Sequence, residues 1–251
     1  MNIPATPLSR VLPAMLVAAA WIYAVPRGQT ALALGLTVAI LGLHATWSRW
    51  RRKTARKVAL EHPLPAFLRS RLRAQYDHLD DAQLLQVERG LRQFFVASAH
   101  AEGRFVAMPS KVVDALWHEF ILHTRGYEAF CRRAFGRLLH HTPAEALPPD
   151  GKTGERHAGL RRAWYWSCKE EGIDPRKPTR LPLLFALDGL LAIPGGYRYV
   201  PDCRLLGAER GDTHCATGFG CGSSCGSSGC GGDAGGSGCG SSCGGGCGGG
   251  D

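Results

Sequence analysis

The sequence predicts a mainly α-helical protein with three parts: an apolar helical hairpin at the amino terminus, a bundle of about five helices, and a Gly/Ser/Cys-rich disordered tail. Three observations carry this. Two apolar runs open the chain, at 11–25 and 31–47, separated by Pro26–Arg27–Gly28–Gln29–Thr30. Apolar residues then recur at three- and four-residue spacing through the middle of the chain. From 207 onward there is little except glycine, serine and cysteine, which bury too little apolar surface to offset the entropy of ordering.

At ~1.5 Å per residue the two runs reach ~22–26 Å, close to the ~30 Å hydrocarbon core of a bilayer. Trp21, Tyr23 and Trp47 lie near their ends, where aromatic side chains anchor spans. We therefore expect residues 1–47 to form two transmembrane helices; a cleaved signal peptide is the alternative for the first run.

The formal net charge is +9, but it is unevenly spread. Residues 1–47 carry +2, residues 48–74 carry +8, residues 75–206 carry +2, and residues 207–251 carry −3. Nine Lys/Arg stand against Glu61 alone in 48–74, directly after an apolar run. That placement suits a membrane surface and anionic lipid better than a polynucleotide, so nucleic acid is not an expected partner. Basic residues beside a span stay cytoplasmic. The expectation is a bacterial inner (cytoplasmic) membrane protein whose helical domain and tail face the cytoplasm.

The domain is expected over 75–206. Its first helix starts at Asp80/Asp81 and stripes Leu84, Val87, Leu91, Phe94, Phe95 and Ser98, with Gly103 as a stop. The next opens at Pro109 and stripes Val113, Leu116, Trp117, Phe120 and Ile121. A third carries Tyr127, Phe130, Cys131, Ala134 and Phe135, ending at Gly136. A fourth follows a Pro/Gly-rich loop with Leu160, Trp164 and Cys168 on one side, and a short fourth-to-fifth connection leads to the apolar "LPLLFALDGLLAI".

Two groups of residues carry possible chemistry. On the second helix Asp114 and His118 stand one turn apart, and a carboxylate and an imidazole at i and i+4 can share a metal ion or simply a proton. His140 and His141 follow closely, and adjacent histidines point apart, so at most one of them joins the patch. His123 joins only if the helix ends before it. Cys131 reads as a buried structural thiol. The second group is the tail: Cys215, Cys221, Cys225, Cys230, Cys239, Cys243 and Cys247. On a reducing cytosolic side these thiols would stay free of disulfides, and soft thiolates ligate zinc or another soft metal ion.

The segment 109–143, with Pro109, Asp114, Trp117–His118, Tyr127, Cys131, Gly136 and His140–His141 in order, resembles the signature of bacterial glycine-rich-domain-containing proteins, distant relatives of the plant glycine-rich domain proteins. The resemblance implies a helical domain and a Gly-rich tail and supplies no activity. Where some relatives carry a second histidine two positions after the first, this chain has Phe120.

On sequence alone the favoured role is a membrane-tethered protein that binds or buffers a soft metal through its cytosolic tail, and this is not an enzymatic role. An adaptor that holds a protein partner on the helical domain is one alternative. A metal-dependent enzyme built on Asp114, His118 and His140 or His141 is the other.

Overall fold

The computed structural model describes residues 8–142, 154–201 and 213–215. It is mainly helical, with eight α-helices among the described residues: α1 (Leu8–Ala24), α2 (Thr30–Glu61), α3 (Phe67–Gln75), α4 (Asp81–His100), α5 (Lys111–Leu122), α6 (Thr124–Phe135), α7 (Glu155–Glu170) and α8 (Leu183–Leu190). Two short strands, β1 (Arg198–Val200) and β2 (Thr213–Cys215), pair in parallel, with Tyr199 opposite His214.

Helices α1 and α2 form the expected apolar hairpin. A single 3-10 turn over Val25–Arg27 reverses the chain, and Gly28 closes it at φ 65°, a left-handed conformation that glycine adopts without penalty. Ala24 and Ala33 are buried where the helices meet. Trp21 Nε1 donates to Thr37 Oγ1 across the interface (3.1 Å), and that hydroxyl in turn donates to the carbonyl of Ala33. Most large apolar side chains of the hairpin face outward, among them Ile22, Val38 and Leu43 at 71–75 % exposure. By length and composition α2 can cross a bilayer, and α1 is a shorter apolar helix beside it.

The basic stretch after Trp47 is not a separate segment at its start. Helix α2 runs on through Arg49–Lys57 to Glu61 without a break, because Arg, Lys and Ala propagate a helix and the first breaker is Pro63. Its last turns enter the core, where Ala59 is buried. Arg92 of α4 donates to the carbonyls of Leu60 and His62 (2.7 and 2.8 Å), satisfying groups a helix end leaves unpaired. Arg56 grips Glu170 of α7 with both guanidinium nitrogens, at 3.0 and 2.5 Å.

Helix α4 is the centre of the domain and packs against α2, α5, α7 and α8. Asp80 caps it in a reciprocal box with Gln83. Leu84, Val87, Leu91, Phe94 and Phe95 are buried together with Leu116, Trp117, Phe120, Phe130, Trp164, Leu184 and Phe185.

Two features add to the sequence expectation. Helix α3, a nine-residue helix that buries Leu68 and Leu72, begins inside the stretch read as a basic juxtamembrane segment. The helices expected over 75–206 are the five from α4 to α8, and α3 precedes them. Strand β2 lies beyond residue 207, where the disordered tail was expected to begin. A parallel strand pair supplies the backbone partners that Gly/Ser composition alone does not.

Candidate functional site

The site is built on α5. Ser110 is its N-cap, and the Ser110 hydroxyl accepts from Val113 N. A second cap comes from far along the chain. Asp188 of α8, 3 % exposed, accepts from Ser110 Oγ (2.7 Å), Lys111 N (2.7 Å), Val112 N (3.2 Å) and Tyr197 N (2.9 Å). A carboxylate at this end is favoured by the helix dipole as well as by the hydrogen bonds. Gly196 makes the approach possible, since a Cβ there would lie 2.8 Å from Asp188 Cβ. Nothing in the local sequence around Asp188 announces this role; its three partners at the start of α5 are 76–78 residues away.

One turn into α5, Asp114 and His118 face the same side. His118 Nδ1 lies 3.4 Å from Asp114 Oδ2 and 2.9 Å from the Asp114 carbonyl. His141 closes the group, its Nε2 2.9 Å from Asp114 Oδ1, with its ring 4.2 Å from that of His118. One potential ligand atom from each of the three lies within 4.8 Å of the others. Each imidazole meets a different oxygen of the Asp114 carboxylate, so the group is held by hydrogen bonds that a metal ion bound at ~2.1 Å would replace.

What brings His141 here is the rest of the Asp-x-x-Trp-His segment. Trp117 Nε1 donates to the Tyr127 hydroxyl (3.1 Å), which donates to the carbonyl of Leu139 (2.5 Å). Gly136, at φ 69°, ends α6 in the left-handed conformation and turns the chain back toward α5. The Trp117 ring meets His141 edge-on at 4.7 Å. Burial pushes the Tyr127 phenol far above its ordinary range, so it acts here as a neutral hydrogen-bond relay. Burial likewise raises the Cys131 thiol beneath it, which makes that residue an inert core group.

Of the expected site residues, then, Asp114, His118 and His141 meet, and His140 stays out of that group but lines the cavity beside them. Helix α5 does end before His123, but that ring packs edge-on against Phe67 and stays out of the group. Cys215 lies in β2, and its sulfur is in a disulfide. It is thus not the thiolate ligand that a reducing environment was expected to leave. Cys221, Cys225, Cys230, Cys239, Cys243 and Cys247 lie outside the described residues.

Asp114, His118 and His141 open into a cavity of about 1030 Å³. Its wall includes Arg104, Lys111, Arg137 and Arg156, together with His157 and His214, and Asp114 is its one acidic residue among those described. Phe105, Met108 and Leu160 give it a partly exposed apolar side.

A family model described as UCP032817-like matches residues 54–219. The chain belongs to the UCP032817-like family. That finding overturns the resemblance to glycine-rich-domain proteins, because the matched family is a different, uncharacterised one. The shared Asp-x-x-Trp-His pattern describes a local packing solution and did not identify the family. The family region begins in the charged half of α2 and ends just past β2. It therefore contains the whole Asp114–His118–His141 cavity and leaves out the last six tail cysteines. No curated protein and no solved structure matches the chain.

Proposed function

We propose that this protein is a membrane-tethered, metal-dependent hydrolytic enzyme, with one divalent ion of the zinc type held by Asp114, His118 and His141. The observation that carries this reading is the convergence of those three side chains on the floor of a cavity. Two imidazoles and one carboxylate suit zinc, and three protein ligands leave a coordination position for water or substrate. Water bound there is acidified to a pKa near ~7, which supplies a hydroxide nucleophile at neutral pH. The Trp117–Tyr127–Leu139 relay has the supporting part: it fixes the segment that delivers His141. The apolar hairpin anchors the domain to the bilayer through α2.

The cavity patch replaces the thiol-rich tail as the favoured metal site. It lies within the family-defining region, and it offers unoxidised nitrogen and oxygen donors at ligand spacing.

The test uses the purified full-length chain in detergent micelles. Zinc content, the absorption spectrum with cobalt(II), and hydrolysis of bis(p-nitrophenyl) phosphate are measured for wild type, Asp114→Ala/His141→Ala and His140→Ala. The double variant is expected to bind one ion fewer than wild type and to lose hydrolysis, while His140→Ala keeps the ion. Thiolate ligation by the tail announces itself separately, through an intense sulfur-to-cobalt charge-transfer band. A double variant that keeps all its metal removes the site; metal binding with no turnover removes the enzyme.

A further inference from the structure

The cavity's position relative to the apolar hairpin carries a second conclusion. The apolar run of α2 ends at Trp47, and Trp47 and Trp50 are exposed, with their rings 5.2 Å apart. Such aromatics sit at the level of lipid headgroups. Arg51 and Arg52 follow within ~6–8 Å of Trp47 along the axis, a distance comparable to the ~5–7 Å depth of one interfacial layer.

Those two arginines hold the cavity's rim. Arg52 Nη1 binds Glu102 Oε1 at 2.7 Å, and Glu102 directly precedes the wall residues Gly103 and Arg104. The Arg51 guanidinium lies 3.1 Å from where a Cβ on Gly136 would stand, and Arg137 is the next residue. Arg137 in turn lies over Gly103, 3.5 Å from its Cβ position. Both rim segments are therefore within one side-chain length of α2 at headgroup depth.

The wall chemistry matches what is found at that depth. Among the described residues, Arg104, Lys111, Arg137 and Arg156 form no ion pair. Arg104 Nε donates to the Ala101 carbonyl and Lys111 Nζ to that of Pro194, which leaves their charge in place; four cations against Asp114 make the cavity a focus for anions, and guanidinium forks suit the oxygens of phosphate. Phe105, Met108 and Leu160 add an apolar side that a free inorganic anion would not use.

We propose that the cavity takes the phosphate-bearing headgroup of a membrane lipid, with Arg104 and Arg137 as its phosphate-binding residues and the apolar wall against the first carbons of the lipid. This rests on the catalytic reading above and names its substrate class. Phosphate chemistry is shared by soluble phosphate esters, so the test separates the two sources.

Binding of dihexanoyl phosphatidate, glycerol 3-phosphate and inorganic phosphate to the full-length detergent-solubilised chain is measured by calorimetry. The variants are Arg104→Gln/Arg137→Gln, the charge-preserving Arg104→Lys/Arg137→Lys, and Arg49→Gln/Lys53→Gln as a control for basic residues outside the cavity. Circular dichroism melts accompany each. The short-chain lipid is expected to bind at least about tenfold more tightly than either soluble phosphate, from the burial of two or more methylenes. The Gln pair is expected to lose that binding with an unchanged melt, the Lys pair to retain part of it, and the control to retain all of it. Equal or tighter binding of the soluble phosphates overturns the lipid assignment. Lipid binding that survives in the Gln pair but falls in the control overturns the cavity. A Gln pair that melts early is judged by the Lys pair, whose full loss of binding overturns the phosphate contact. Zinc content of the same samples keeps the two proposals apart: metal without lipid binding sinks this one alone, and lipid binding without metal sinks only the earlier one.

Discussion

Replacing Asp188 should unfold the site from a distance. Its Oδ1 accepts from Ser110 Oγ and Val112 N, and its Oδ2 from Lys111 N and Tyr197 N. With 3 % of the residue exposed, water cannot substitute for it in place. Removing the partner of a buried polar group costs about 1–3 kcal/mol, and disrupting a buried charged network costs about 3–5 kcal/mol. Ser110 keeps its bond to Val113, so we place Asp188→Ala near 4 kcal/mol, a large part of the ~5–15 kcal/mol that holds a domain together. Asp188→Asn is the sharper variant. An amide keeps one acceptor oxygen, but its NH2 faces Val112 N in one orientation and Lys111 N and Tyr197 N in the other, so at least one backbone N–H loses its acceptor and the variant should cost about 1–3 kcal/mol despite its matching shape. Urea unfolding followed by tryptophan fluorescence reads the difference, since Trp117 and Trp164 are both in the core. A loss below about 1 kcal/mol for both variants, with the slope unchanged, would refute the claim that this carboxylate organises the start of α5.

Tyr127→Phe leaves Trp117 Nε1 without its acceptor and Leu139 O without its donor, and should cost about 1–2 kcal/mol while weakening zinc binding through His141; an unchanged zinc affinity would separate the relay from the site. Burial lowers the pKa of His100, which stacks on Trp166 at 4.3 Å, and the pKa of His62 is lowered for the same leading reason. Below the ordinary value of 6.5 the unfolded chain takes up protons that these folded-state rings resist, so stability should fall as pH drops from 6.5 and stay level above it; His100→Phe, which keeps the stacking, should flatten part of that slope in pH-dependent urea melts. Cys131 and Cys168 are fully buried, the latter with its thiol pushed up to about 12, so neither should react with a maleimide until denaturant is added. Labelling of intact cells with a membrane-impermeant maleimide after mild reduction tests sidedness. Protection indicates the cytoplasmic face implied by Arg49–Lys57, and labelling indicates the oxidising face on which the Cys215 disulfide would persist.

Much of the helical framework could be read directly, because α4, α5 and α6 advertise themselves by apolar spacing and by end signals such as Asp80 and Gly136. The pairing of Asp114 with His118 was legible for the same reason: both lie on one helix, one turn apart. Adjacent histidines pointing apart also limited the patch to at most one of His140 and His141, and it is His141 that lies against Asp114. Long-range partnerships were hidden. Asp188 looks like an isolated polar residue in an apolar helix until Ser110 and Lys111 are folded against it. Helix α3 was masked by its own arginines, which dominate a nine-residue stretch and drew attention to charge over periodicity. The passage of α2 beyond Trp47 was obscured by the change from apolar to basic composition, although composition decides where a helix lies and not whether it continues. Strand β2 has three residues, too few for an alternating pattern to declare itself.

Because α2 is one uninterrupted rod whose last turns are clamped by Arg92 and Arg56, there is no swivel between the apolar hairpin and the domain. Azimuth and depth are geared together at ~100° and ~1.5 Å per residue. Two alanines added between Trp47 and Arg51 would therefore turn the cavity by ~200° about the rod, relative to the apolar hairpin, while shifting it only ~3 Å along the axis.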